Sequence, residues 1–168
     1  MSSTFAGWRF VLPAEGTVVA LPASASYAFQ VGDLVCWDST NKELVPVNES
    51  VAGVTDSVAN IAASFVGAAL QGKLAADTSE GYPIYPSPKQ GLTVEMNPIY
   101  LADIASTSSA DFGDTVGPVV GSANNVALNT TTAQIIGYIL SDYSGQTVTQ
   151  VRCRLIGKYS PYRFADFN

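Results

Sequence analysis

Between Thr147 and Ile156, Val151, Cys153 and Leu155 alternate with Gln150, Arg152 and Arg154. A side-chain period of two gives a strand one buried face and one wet face. This run therefore commits the end of the chain to an antiparallel sheet. Asp142 to Gln146, with Ser144-Gly145, supplies a hairpin turn back to Ile135–Leu140. Earlier, Leu34-Val35-Cys36-Trp37 and Glu43 to Val47 flank the polar Asp38-Ser39-Thr40-Asn41-Lys42 and read as a second hairpin.

Helical spacing occurs once, over residues 56–64, where Val58, Ile61, Ala62 and Phe65 line one side and Asp56 or Ser57 stands at the capping position. Phe65 to Leu70 follows as a strand. Residues 75–91 hold Pro83, Pro86 and Pro88 with Gly81 and Gly91, which predicts turns and at most edge strands. The expected fold is all-β, mainly antiparallel and barrel- or sandwich-like, with one short α-helix and extended termini. Its parts are an N-terminal arm over 1–28, a single β domain over 29–156 and an aromatic tail over 157–168.

The second half of that domain echoes the first. Phe112-Gly113-Asp114-Thr115-Val116 resembles Val31-Gly32-Asp33-Leu34-Val35, and Ile135 to Leu140 resembles Phe65 to Leu70 in its glycine-broken apolar run. The Gly-Asp turn and the later glycine are 35 residues apart in the first copy and 24 in the second, a difference close to the length of the helix. A weak internal duplication and a chance recurrence of Gly-Asp turns both account for this.

Charge narrows the function. Only 13% of residues are charged, the net charge is −6, and the eight basic residues form no run. Nucleic-acid binding rests on Lys and Arg neutralising phosphates, so a direct nucleic-acid partner is not expected. No stretch is long and apolar enough to span a membrane, and the first ten residues lack the pattern of a signal peptide. Assembly in a cytoplasm is the expectation, with Cys36 and Cys153 as buried reduced thiols.

The chemistry of catalysis is thinly represented. There is no histidine, which removes the commonest general base and transition-metal ligand. No phosphate-cradling glycine motif occurs. Paired carboxylates are available in Asp103, Asp111 and Asp114, or Asp33 and Asp38. Asp33 and Asp114 follow glycine at strand starts, where aspartate bonds turn amides. The expectation is a non-enzymatic protein with no catalytic residue, no metal and no cofactor.

Binding surface is richer. Both ends carry aromatics beside an arginine, so the candidate interface is Phe5, Trp8, Arg9 and Phe10 with Tyr159, Tyr162, Arg163 and Phe164. Four of the eight basic residues, Arg152, Arg154, Lys158 and Arg163, lie in the last 17 positions. They either steer docking onto an acidic partner or line a wet strand face. Tyr82, Tyr85 and Tyr100 either stack on sugars or pack a loop.

The order of pieces resembles the bacteriophage capsid decoration proteins, also called head cement proteins. The resemblance rests on Gly32-Asp33-Leu34-Val35, on Ala59 to Ala69 (ANIAASFVGAA), on Gly113-Asp114-Thr115-Val116-Gly117, and on Ile136-Gly137-Tyr138 with Val151 to Leu155. It covers roughly residues 29–156. It implies a protein on the outside of the virion capsid, assembled in the host cytoplasm, that binds the major capsid protein as a homotrimer and clamps neighbouring subunits. Another virion part, in the tail tube or baseplate, and a carbohydrate-binding β domain are the other readings.

Overall fold

A computed structural model describes residues 10–12, 18–75, 82–83, 90–107 and 109–160. The strands, in chain order, are β1 (Phe10–Leu12), β2 (Val18–Pro22), β3 (Leu34–Asp38), β4 (Glu43–Pro46), β5 (Phe65–Ala69), β6 (Tyr82–Pro83), β7 (Gln90–Glu95), β8 (Ile99–Thr107), β9 (Thr115–Pro118), β10 (Asn125–Leu128), β11 (Gly137–Ile139) and β12 (Val148–Leu155). One helix, α1 (Val58–Ser64), precedes β5, and a 3-10 turn at Thr132–Gln134 precedes β11. The architecture is mostly β, as the alternation and turn signals predict. The Ser57 side chain caps α1 by accepting from the Asn60 N–H at 3.2 Å.

The strands close into two small barrels. In the first the order is β2-β7-β5-β3-β4. Its ends meet at a parallel bridge between Ala23 and Leu44, where the Ser24 N–H donates to the Leu44 carbonyl at 3.0 Å. In the second the order is β8-β12-β11-β9-β10, and β10 returns to β8 in parallel through Asn125–Asp103 and Val126–Ile104. Ala23–Leu44 and Ile104–Val126 are the same contact made twice.

The equivalence runs through the register. Val35 faces Gly67 as Val116 faces Gly137. Glycine is required at both, because a Cβ on Gly67 would strike the Glu95 carbonyl and one on Gly137 would strike the Arg154 carbonyl. The Gly-Asp turns match atom for atom. Asp33 accepts from the Gln30 N–H at 2.7 Å, and Asp114 accepts from the Asp111 N–H at 2.9 Å. Gly32 and Gly113 have φ of +94° and +89°, and their N–H groups donate to Ala69 and Ile139. α1 lies between β4 and β5 as the 3-10 turn lies between β10 and β11, and the longer connection over residues 47–64, of which α1 is part, accounts for the unequal spacing.

Each barrel has its own interior. The first is filled by Ala23, Phe29, Val35, Leu44, Val66, Ala69, Leu92, Val94 and Met96. The register assigns their counterparts as Ile104, Ala110, Val116, Val126, Ile136, Ile139, Val151, Cys153 and Leu155, all of which belong to the other core cluster. Volume is redistributed in between: Phe29 becomes Ala110, while Ala23 and Ala69 become Ile104 and Ile139. The same cluster takes in Leu34, Cys36, Val45, Ile61, Phe65 and Ala68, so the outer face of the first barrel and α1 pack continuously with the second barrel.

Two boundaries differ from expectation. The first barrel begins at Val18, not at residue 29, because residues 18–22 pair along β7 and Ala23 and Ser24 are buried. At the other end the Gly157 N–H donates to Met96 at 2.8 Å and the Lys158 N–H to Phe65 at 2.6 Å, so the start of the expected tail is sewn to the first barrel. The sequence also hides β8, the longest strand. Tyr100, Ala102 and Ile104 are buried in it, while Leu101 and Asp103 are partly exposed.

Candidate interaction surface

The expected interface residues fall at the two ends of the chain, and the described strands nearest those ends, β1 and β12, both pair with β8. β1 pairs with one edge of β8 through Phe10–Tyr100 and Leu12–Ile99. β12 runs along the opposite edge, pairing Arg154 with Ile99 and Cys153 with Tyr100. The N-terminal segment thus crosses to the second barrel before the chain builds the first. At the C-terminal side Tyr159 is 49% exposed, with the Lys158 ammonium 5.8 Å from its ring centre. Phe5, Trp8, Arg9, Tyr162, Arg163 and Phe164 lie outside the described residues, and for Phe10 only the backbone is described.

Exposed apolar side chains occur elsewhere too. Val31 and Phe112 are 54% and 69% exposed. They are equivalent positions at the tips of the two Gly-Asp turns. Sequence reasoning read these turns as backbone devices and missed that each lifts an apolar side chain into solvent. The signal was there, since the residue before the glycine sits at a turn tip with no strand neighbour to cover it.

The polar candidates resolve into structural roles. Asp38 accepts from the N–H groups of Thr40 and Asn41 and from Asn41 Nδ2, closing the first hairpin. Asp33 is largely buried, and desolvation pushes its carboxyl above the ordinary aspartate value despite the lowering effect of the Gln30 bond. Asp103 is not in a turn but on the outer side of β8, where it accepts from Gln150 Nε2 at 2.8 Å. The carboxylates of Asp33, Asp38, Asp103 and Asp114 are thus engaged with a nearby turn or a neighbouring strand, and Asp111 enters its turn through its backbone N–H. No group of three His, Cys, Asp or Glu fit to hold a metal occurs among the described residues.

Both cysteines are buried and free, and burial pushes each thiol up to about 12. Tyr100 is fully buried between the strands and cannot stack on a sugar. Tyr82 has only its backbone described, and Tyr85 lies outside the described residues. No helix among the described residues is long and apolar enough to cross a membrane.

Arg152 and Arg154 occupy the outer face of β12, half-buried, while Val151, Cys153 and Leu155 are fully buried on the inner side. The Nε atoms of both arginines are buried and have no hydrogen-bond partner. Directly opposite them on β8 stand Leu101 and Ile99, which offer no charge.

A family model described as phage cement protein matches residues 3–82, just under half of the chain. The match spans β1 to β6 and ends before β7 and the second barrel. No curated protein matches the chain.

Proposed function

We propose, from the chain's kinship with the phage cement proteins over residues 3–82, that it binds the outer surface of an assembled phage head and stabilises contacts between neighbouring major capsid proteins. The family match carries this reading. The fold is in keeping with it. Two barrels with continuous packing form a stiff body, and β1 and β12, the described strands nearest the two ends, flank β8. The role needs no catalysis, and we assign the protein none. A net charge of −6 favours a protein partner over a phosphate backbone. In this reading the protein acts as a homotrimer on the capsid exterior after assembly in the host cytoplasm. Avidity across several capsid subunits then multiplies modest contacts.

The test is direct. Purified protein is mixed with expanded, undecorated capsids, and bound copies are counted and located by electron microscopy. Saturable occupancy at fixed lattice positions is expected, with copies grouped in threes. Absence of binding at micromolar concentrations overturns the reading, and single isolated copies overturn the trimer.

A further inference from the structure

We infer that the outer face of the second barrel around Arg152 and Arg154 is a docking surface for an acidic, extended segment of the capsid protein. This rests on the cement reading for the identity of the partner. It rests on the barrel itself for the chemistry.

The cross-strand register sets a row of side chains over four strands: Ile99, Arg154, Tyr138 and Thr115. Leu101 and Arg152 begin the next row. Tyr138, Leu101 and both arginines are partly exposed. Tyrosine and arginine beside aliphatic surface are the side chains that dominate protein interfaces. Neither guanidinium forms an ion pair among the described residues, and the Nε of each has no hydrogen-bond partner. The nearest carboxylate in register, Asp103, is engaged by Gln150. Among the described residues two positive groups therefore have no acidic partner, each with an Nε withdrawn from water.

The first barrel shows what this face is for. Its equivalent row is Val18, Glu95, Ala68 and Leu34. There Leu34 and Ala68 are fully buried and Glu95 is 6% exposed. The chain's own α1 region and the segment at Gly157 and Lys158 pack over that side. Val18, at the end of that row, is 52% exposed, whereas its counterpart Ile99 is 7% exposed. Over the other three positions the first barrel is covered and the second is partly exposed at Arg154, Tyr138 and Thr115, with Arg154 standing where the first barrel has Glu95.

The spacing specifies the partner. Residues two apart on a strand are about 7 Å apart on one face. An extended segment with carboxylates at alternate positions matches that repeat. Each carboxylate meets one planar guanidinium, which holds it through paired hydrogen bonds.

The test compares wild type, the charge-reversed pair Arg152→Glu with Arg154→Glu, and the pair Arg152→Lys with Arg154→Lys, after matching their urea unfolding midpoints. If reversal unfolds the chain, Arg152→Gln with Arg154→Gln replaces it. Two probes are used: undecorated capsids, and a synthetic peptide alternating Glu with Val. Expected is a loss of at least about 30-fold in affinity for both probes on reversal, a smaller loss with lysine, and strong weakening of wild-type binding by salt. Equal binding of a folded reversed variant to capsids overturns the inference while leaving the cement reading intact. Failure of wild type to bind capsids overturns the cement reading, and the peptide then decides the chemistry of the face. No peptide binding in that case overturns the inference as well. Loss of self-association alone, with capsid binding unchanged, overturns it in favour of a second copy of this chain.

Discussion

The two barrels share a register, a closing parallel contact and a Gly-Asp turn, yet they have been finished differently. The first contains Phe29 with Ala23 and Ala69, and the second contains Ala110 with Ile104 and Ile139. A barrel interior can accept large changes at single positions when others compensate the volume. The outer faces diverge more. At Glu95, Ala68 and Leu34 the first barrel's outer row is buried, whereas the second barrel keeps Arg154 in that row and Arg152 in the next partly exposed. The two barrels share one backbone plan, and their side chains set how much of each outer face is covered by the rest of the chain.

The largest effect should come from the joint between the copies. A Cβ on Gly157 would drive into the Val66 carbonyl. Gly157→Ala should cost about 4 kcal/mol in urea unfolding, with separated transitions for the two barrels if the joint opens first. A single unchanged transition would mean the barrels do not depend on that contact.

Next comes the volume exchange. Phe29→Ala should cost about 3–5 kcal/mol. Adding Ala23→Ile and Ala69→Ile, which write the second core into the first, should recover a substantial part, and a thermal melt of the triple variant measures it. No recovery would show that the equivalence stops at the backbone.

The buried thiols give a third contrast, one in the layer between the barrels and one inside the second. Neither should react with a charged disulfide reagent at pH 8 until urea is added. Their folded values are raised from an ordinary 9.0 to about 12. Their contribution to stability is therefore complete below about pH 9 and is lost as pH rises towards 12. The slope is up to about 1.4 kcal/mol per pH unit for each thiol, because only the unfolded chain ionises in that window. Replacing either cysteine with alanine should flatten that slope in alkaline urea titrations.

The smallest effect separates the two turn aspartates. Burial raises the Asp33 carboxyl, so its charge works against the fold at neutral pH and the opposition disappears as pH falls below the ordinary aspartate value. Asp33→Asn should therefore be less harmful at pH 7 than Asp114→Asn, with both changes within about 1 kcal/mol. The gap should narrow at pH 3, where the raised Asp33 carboxyl has lost its charge. An equal cost at both pH values would remove burial as the difference between the turns.

Local signals in the chain foretell local structure. The β3–β4 hairpin, the Ser57-capped helix and the glycine-broken strands β5 and β11 can be read because each is built from neighbours in sequence. β2, β7 and β8 cannot be read as easily, since their partners are distant: Val18 pairs with Glu95, and β8 lies between three strands from separate parts of the chain. Asp103 also disguises β8, because a lone carboxylate in an apolar run suggests a turn when the Gln150 that receives it is unknown. For the interaction surface, the arginine alternation of β12 is plain in the sequence. That Leu101 and Ile99, and no acid, stand opposite those arginines depends on a pairing that only the folded chain reveals.

The placement of β1 has a mechanical consequence. β1 and β12 run antiparallel to β8 on its two edges, so tension applied between the chain's ends is carried sideways through β8. The strand bonds are loaded in shear, several at once, and on the C-terminal side the load also reaches the first barrel through the Gly157 and Lys158 N–H bonds to Met96 and Phe65. With only three residues in β1, that short strand is the fuse. Until it slips, a pull on both ends is shared between β8 and the joint at Gly157 and Lys158.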